Sequence, residues 1–292
     1  MDMSHNKVNI NFTKMSGAGN DFVMLDNRNE HLQLPWQEIA RKLCDRHFGI
    51  GADGFIVIEK SSLADFKMNY FNADGSYGGM CGNGGRCSAF FAIGETAKKE
   101  IHFEALDYIY SAVKTEGKIA LSMKNPKGLI LNKFIQLEDT QIKVNVIDTG
   151  SPHVVIDVDQ LPEVLQMKKS TEGIHELGSL IRHHDAFAPE GANVNFIHYM
   201  AENFITLRTY ERGVEGETLA CGTGSVASAI VTSELLNLPS PIQVYTQGGE
   251  ILTVSFNKSE NSYTNVQLTG SAKIIFTGSL VYDTKINQIC SL

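Results

Sequence analysis

Long apolar runs are missing from this sequence. No stretch approaches the ~20 consecutive apolar residues that a membrane-spanning helix needs, and the opening MDMSHNKVNINFTKM lacks an apolar core followed by a small-residue cleavage site. The expectation is a cytoplasmic protein. Basic charge is also in deficit, with 25 Lys and Arg against 33 Asp and Glu and a net charge of −8. Nucleic acids and anionic membranes call for a basic surface stripe, so the expected partner is a small molecule, with neither nucleic acid nor membrane. Cysteine is scarce. The five residues Cys44, Cys81, Cys87, Cys221 and Cys290 are odd in number and form no C-x-x-C, which suits neither a disulfide scaffold nor a zinc ribbon. His183 and His184 adjoin each other, a poor spacing for two ligands on one helix face, so no metal site is expected.

What is present points to two domains. A chain of 292 residues with 42% apolar content can bury two cores at the usual ~100 to 200 residues per domain. Short runs rich in Val, Ile, Phe and Tyr, such as GFIVIE, FKMNYF, HVVIDV and NFITLRTY, are punctuated by Gly, Asn, Asp and Pro and read as strands. Helical patterns are fewer. WQEIARKLCDRHF places Trp36, Ile39, Ala40, Leu43 and Phe48 on one stripe, and Gly84 to Lys98, Leu177 to Phe187 and Gly224 to Leu236 are the other candidates. The fold class is therefore α+β with mixed or antiparallel sheets.

The sequence also repeats itself. CGNGGRCSAFFAI at Cys81 lines up with CGTGSVASAIVTS at Cys221 as C-G-x-G-x-x-x-S-A followed by apolar residues, and Gly51 of GADGFIVI relates to Gly191 of GANVNFIH by the same offset. Such self-similarity fixes architecture. The expected halves are residues 1–127 and 128–278, with NPKGL (Asn125 to Leu129) as the turn between them and residues 279–292 returning to the first half.

In each half a strand leads through a polar loop to C-G-x-G, and an apolar-rich helix follows. A helix N-terminus carries about half a positive charge and up to four unpaired N–H donors, so a Cys there has its thiolate stabilised. Gly82, Gly84, Gly222 and Gly224 keep side chains out of the way, leaving amides of Asn83, Thr223 and their neighbours to hold a carboxylate. Removing the α-proton of an amino acid builds charge beside that carboxylate, and fixed helix-end donors would stabilise it. Inversion then needs an acid on the face opposite the base. A thiolate and a thiol from two related halves meet that need. Cys44, Cys87 and Cys290 are read as structural.

SGAGNDFVMLD (Ser16 to Asp26), RHFGIGADG (Arg46 to Gly54), FNADGSYGGMCGNGGRC (Phe71 to Cys87), GSPHVV (Gly150 to Val155), GANVNF (Gly191 to Phe196) and RTYERGVEGETLACGTG (Arg208 to Gly224) together resemble diaminopimelate epimerases over nearly the whole chain. The resemblance implies two pseudo-symmetric domains, each a curved, mostly antiparallel sheet wrapped around a central helix, with the site in the cleft between them. It implies interconversion of LL- and meso-diaminopimelate in lysine and peptidoglycan precursor synthesis, without pyridoxal phosphate, other cofactor or metal, by a homodimer. By position, Cys81 and Cys221 resemble the proton donor and acceptor, and Gly82, Asn83, Gly222 and Thr223 the helix-end groups that hold the reacting carboxylate. Asn20, Asn72, Asn193, Glu211 and Arg212 resemble the residues that bind the substrate's amino and carboxylate groups. His153 and Glu211 resemble groups that tune the thiols.

Three positions depart from the family pattern: Gly54, Ser151 and a loop, ERGVEGETLAC, one residue longer than the usual form. Two other functions fit paired cysteines. A proline or hydroxyproline racemase shares paired cysteines but has no distal amino acid to bind, which Arg212, Asn72 and Asn193 would serve. A thiol redox sensor would oxidise Cys81 and Cys221 to a disulfide and need no substrate α-carbon.

Overall fold

The computed structural model describes residues 6–94, 98–166, 171–260 and 262–291. The chain forms two compact units, Met1–Leu121 with Ser271–Leu292, and Ser122–Gly270. These cuts differ from divisions at 127/128 and 278/279. NPKGL is not simply a turn, because Lys127 opens a strand; Gly128, at φ +64°, sits where that strand carries an extra residue against its partner, a glycine bulge rather than a loop. The C-terminal cut falls ahead of a strand that is paired along its whole length with the first strand of the chain, so the strand goes over entire.

The first unit contains β1 (Lys7–Gly17), β2 (Asn20–Asp26), α1 (Trp36–Cys44), β3 (Gly54–Glu59), β4 (Phe66–Asn72), β5 (Tyr77–Gly79), α2 (Gly82–Gly94), β6 (Glu100–Ala105), β7 (Tyr108–Thr115) and β8 (Lys118–Ser122). The second contains β9 (Lys127–Leu137), β10 (Thr140–Asp148), β11 (Pro152–Asp157), α3 (Glu163–Gln166), α4 (Thr171–Arg182), β12 (Asn193–Ala201), β13 (Phe204–Glu211), β14 (Gly216–Thr218), α5 (Gly222–Leu236), β15 (Ile242–Thr246), β16 (Ile251–Ser259) and β17 (Ser262–Gly270). The chain then re-enters the first unit as β18 (Lys273–Asp283) and β19 (Gln288–Ser291).

Each unit runs the same pairing sequence. In the first, β18, β1 and β2 are antiparallel neighbours, β2 and β3 are parallel, β3 and β4 antiparallel, and β4 takes β5 antiparallel at one end and β6 parallel at the other before β7 and β8 follow as a meander. Replacing these in order by β9, β10, β11, β12, β13, β14, β15, β16 and β17 reproduces the second unit pair for pair. Parallel neighbours need a crossover, and helices lie in the same two crossovers of each unit. The repeat read in the sequence is thus a repeat of topology.

Helices α2 and α5 have no polar face. A helix that is apolar or small on every side must be covered all round: α2 touches β1, β2, β3, β4, β6 and β7, and α5 touches β10, β11, β12, β13, β15, β16 and β17. Val226, Ala227, Ala229, Ile230 and Val231 are completely buried. The helix α5 ends on Asn237 in the left-handed region (φ 50°), whose N–H returns to the Ser233 carbonyl.

Two helix expectations need correction. The stripe of α1 buries Ile39, Ala40 and Leu43, but the helix stops at Cys44 and Phe48 is 90% exposed. The Asp45 carboxylate accepts the N–H groups of His47 and Phe48, turning the chain out of the helix before Phe48 can join the stripe. The segment expected as Leu177 to Phe187 is instead α4, begun at Thr171, and a separate turn of 3-10 helix at Asp185–Phe187; extended backbone at His184, whose Nδ1 accepts the Ala186 N–H, divides them. Of the expected helix Gly84 to Lys98, residues 95–97 lie outside the described residues.

Helix α4 crosses β13 at Gly178, where an added Cβ would lie 2.5 Å from Cβ and 2.7 Å from Cγ of buried Tyr210. Gly178→Ala is expected to lower stability by about 1–3 kcal/mol, the usual cost of overpacking, despite alanine's better helix propensity. Thermal unfolding reads this as a lower midpoint; an unchanged or raised midpoint would contradict the packing.

Candidate active site

In the first unit β5 delivers Cys81 to the start of α2. The Cys81 carbonyl accepts the Gly85 N–H at 2.7 Å, and its sulfur, half-buried, accepts the Gly84 N–H at 3.5 Å. Around it the polar side chains form a connected set. Arg86, completely buried, donates to Asn83 Oδ1 at 2.9 Å and reaches the Gly82 and Ser271 carbonyls at 3.5 Å. Asn83 Nδ2 donates to Asn20 Oδ1, and Asn20 Nδ2 donates to Asp53 at 3.0 Å. Beyond it, Arg46 bridges Asp53 at 2.7 Å and Asp21 at 2.9 Å, while Lys14 pairs with Asp21 at 2.8 Å. Burial alone would raise the Asp21 pKa, but hydrogen bonds from Arg46 and Lys14 outweigh it and hold that carboxyl below its ordinary range. Asn72 closes β4, its side chain donating to Ser76 Oγ at 2.9 Å.

The second unit repeats the cysteine placement. Cys221 is the N-cap of α5 and only 5% exposed; its sulfur accepts the Gly224 N–H at 3.4 Å and lies 3.6 Å from Thr223 Oγ1. Gly224 is required by packing, since a Cβ there would come 2.3 Å from Asn195 Oδ1. The Thr223 carbonyl is tied to Thr149 Oγ1 at 3.0 Å.

Beside this helix end, the strands β11 and β12 are parallel in the register His153 to Asn193. His153 is fully buried, with Nδ1 3.0 Å from Asn195 Nδ2 and Nε2 3.0 Å from Ser151 Oγ. Asn195 Nδ2 also donates to the Val154 carbonyl and Asn195 Oδ1 accepts from Thr209, so the amide orientation is fixed. It follows that Nδ1 of His153 is the acceptor and Nε2 carries the hydrogen, directed at Ser151. Asn193 donates to Ser151 Oγ at 3.3 Å and to the Pro152 carbonyl, and its Oδ1 accepts the Arg212 N–H at 2.9 Å. Glu211 accepts from Thr218 Oγ1 at 2.9 Å. The Arg212 side chain reaches the Glu190 carbonyl at 3.4 Å.

Each unit therefore sets a sulfur on the N-terminus of a buried helix, in a unit that also carries amide and guanidinium donors suited to carboxylates and carboxylate acceptors suited to ammonium groups. The diaminopimelate epimerase family model matches residues 12–127 and 145–275. The chain belongs to the diaminopimelate epimerase family. It is 41% identical to the diaminopimelate epimerase of Chlorobaculum tepidum, over 91% of this chain and 99% of that one, and 39% identical to that of Aquifex aeolicus, over 93% and 98%. In fold it is similar to the crystal structure of a hydroxyproline epimerase from Agrobacterium vitis, with a TM-score of 0.70 at 15% identity over 97% and 95% of the two chains. The family makes this chain an isomerase, and its fold is the two-domain α+β fold of diaminopimelate epimerases.

Within this epimerase fold the expected site residues fall into two groups. Cys81, Gly82, Asn83 and Asn20 are joined at the head of α2, with Asn72 at the end of the strand that pairs with β5. Cys221, Gly222 and Thr223 head α5, and His153, Asn193, Glu211 and Arg212 belong to the same unit. Asn83 is 1% exposed with both ends of its amide engaged, which leaves its backbone, not its side chain, as the group with something to offer a carboxylate. Four further residues belong to these networks and are not marked as site residues by the sequence: Ser151, Arg86, Asp53 and Asn195. A charged Arg inside a buried helix of mostly small and apolar residues and an Asn two positions from Asn193 on the same face of β12 are the available signals. His183 and His184 point elsewhere, to the Ser179 and Gln136 carbonyls.

His153 is neutral at working pH. Desolvation, opposed by the Asp148 charge and aided by that of Arg212, lowers its pKa from 6.5 to about 3, so it does not act on Cys221 as a cation. Its folded pKa lies below the unfolded one, so its contribution is intact above pH 6.5 and is lost as pH falls from 6.5 towards 3. The expected result is a difference in thermal midpoint between the wild type and His153→Asn that shrinks as pH drops from 7 to 4.5. A difference that grows on acidification would contradict a buried neutral imidazole.

Proposed function

We propose that the protein interconverts LL- and meso-2,6-diaminopimelate by a two-base route in which Cys81 and Cys221 act on opposite faces of one α-carbon, without pyridoxal phosphate or metal. One sulfur, as thiolate, takes the α-proton; the C–H electron pair stays on carbon as a carbanion delocalised into the carboxylate. The other sulfur, as thiol, delivers its proton to the opposite face. Carbon is inverted, the two sulfurs have exchanged protonation states, and proton exchange with water restores them. The observation that carries this reading is the matched pair of sulfurs, each accepting the backbone N–H three residues on, at the head of a buried helix.

A helix end favours the thiolate over the thiol and favours charge building on a carboxylate beside it. The amides of Gly82, Asn83, Gly222 and Thr223 are the groups assigned to that carboxylate, acting as an oxyanion-type field that strengthens as charge develops. The far end of diaminopimelate is a second amino acid. Arg212 suits its carboxylate, and Asn20, Asn72, Asn193 and Glu211 supply donors and acceptors for its charged groups. Neutral His153, its tautomer set by Asn195, enters through the hydrogen it directs at Ser151 rather than through charge. In this reading the enzyme is a cytoplasmic homodimer that serves lysine and peptidoglycan precursor synthesis. The test is incubation of the purified protein with LL-diaminopimelate or L-proline under reducing conditions with no added cofactor. Formation of the meso isomer with no D-proline is expected; comparable turnover of proline would replace this reading with the racemase one.

A further inference from the structure

The first unit contains a hydrogen-bond chain whose direction is forced at both ends. A guanidinium has donors only and a carboxylate has acceptors only. Arg86 therefore fixes Asn83 with its oxygen inward, and Asn83 Nδ2 must donate to Asn20 Oδ1. Asn20 in turn has Nδ2 directed at Asp53, whose carboxylate also accepts the Asp21 N–H at 3.2 Å and the Arg46 guanidinium. An amide side chain is nearly symmetric in shape and reads opposite ligand groups in its two orientations, so something must choose between them.

We propose that Arg86 and Asp53 are positioning residues that set the amide polarity of Asn20 and Asn83, so that Asn20 meets the substrate as an N–H donor, the orientation suited to a carboxylate and wrong for an ammonium group. This inference rests on the functional reading above and names the end of the substrate that Asn20 takes. Neither residue needs to touch the substrate. Arg86 is completely buried behind the helix end, and it reaches the Gly82 carbonyl in the first turn. Asp53 works from the other end, near the surface, where its partial exposure makes it the safer position to alter.

Asp53→Asn keeps size and shape but replaces the charged acceptor with a neutral amide that can donate or accept, so the direction is held from the Arg86 end alone. It is expected to raise KM for LL-diaminopimelate about 10-fold, the loss of one hydrogen bond to a charged group, with kcat within about 3-fold. Arg86→Met is expected to lower kcat/KM by more, and Arg86→Lys, which still donates to Asn83, to recover part of the loss. A change in thermal stability with KM untouched in Asp53→Asn would assign the chain to folding alone and overturn the inference. Neutron diffraction of deuterium-exchanged wild-type crystals reads the amides directly, without turnover. Deuterium on the Asn20 atom facing Asp53 and on the Asn83 atom facing Asn20 is expected, and the opposite orientation of either amide overturns the inference even where the enzyme epimerises diaminopimelate. A wild type inactive on diaminopimelate but showing these orientations would overturn the functional reading and leave the polarity of the chain standing, with Asn20 donating to another carboxylate.

Discussion

Cys81→Ala and Cys221→Ala are each expected to reduce epimerisation by about 10³-fold or more while leaving the protein folded. A positioned acid or base contributes about 10²–10⁴ in rate, and a two-base inversion fails when either face is left without its group, so the two losses should not add. Each sulfur sits at the head of its own helix on a matched backbone donor, and alanine removes that contact without adding bulk. The effect on stability should be modest for half-buried Cys81 and larger for nearly buried Cys221. Any slow exchange of α-hydrogen with solvent that survives should proceed with retention, from opposite stereocentres in the two variants, because each keeps a base on one face only. Isomer analysis by chiral chromatography, with circular dichroism to verify folding, checks this. Full activity in either variant would leave the second sulfur without a role.

Arg212→Ala should produce the second largest change, and of a different kind. The backbone of Arg212 is anchored by Asn193, while its side chain, partly exposed, reaches the Glu190 carbonyl at 3.4 Å. Loss of a charge-assisted fork to a carboxylate costs about 1.5–3 kcal/mol, equivalent to about 10- to 150-fold in KM, whereas a substitution at such a position shifts stability by only about 0.5 kcal/mol. Steady-state kinetics on LL-diaminopimelate beside thermal unfolding separates the two. A large drop in the unfolding midpoint with KM unchanged would make Arg212 a structural residue.

The repeat was the most legible feature of the sequence, because C-G-x-G followed by an apolar helix constrains both backbone and side chain, and the two copies fold into the same crossover of the same strand order. Helix existence was readable where apolar residues are periodic, as in α1, and where every side is small or apolar, as in α2 and α5. Boundaries were not. Phe48 continues the stripe of α1 on paper, yet the Asp45 side chain ends the helix first. Gly128 looked like a turn and is a bulge, a distinction set by the partner strand and absent from local sequence. The supporting shell was the least legible part. Arg86 and Asp53 are far apart in sequence and become parts of one chain only when β2, β3 and α2 pack together, and Asn195 acquires its meaning from a histidine on the neighbouring strand.

Isotope labelling reaches the chemistry itself. With LL-diaminopimelate in heavy water, reducing agent and no cofactor, the first turnover should give meso-diaminopimelate with one deuterium at the inverted carbon and none at the other, because the incoming hydrogen comes from a thiol already equilibrated with solvent. Meso product that retains the original hydrogen at the inverted carbon would mean that a single group carries the proton from one face to the other, and the paired-sulfur account would be wrong.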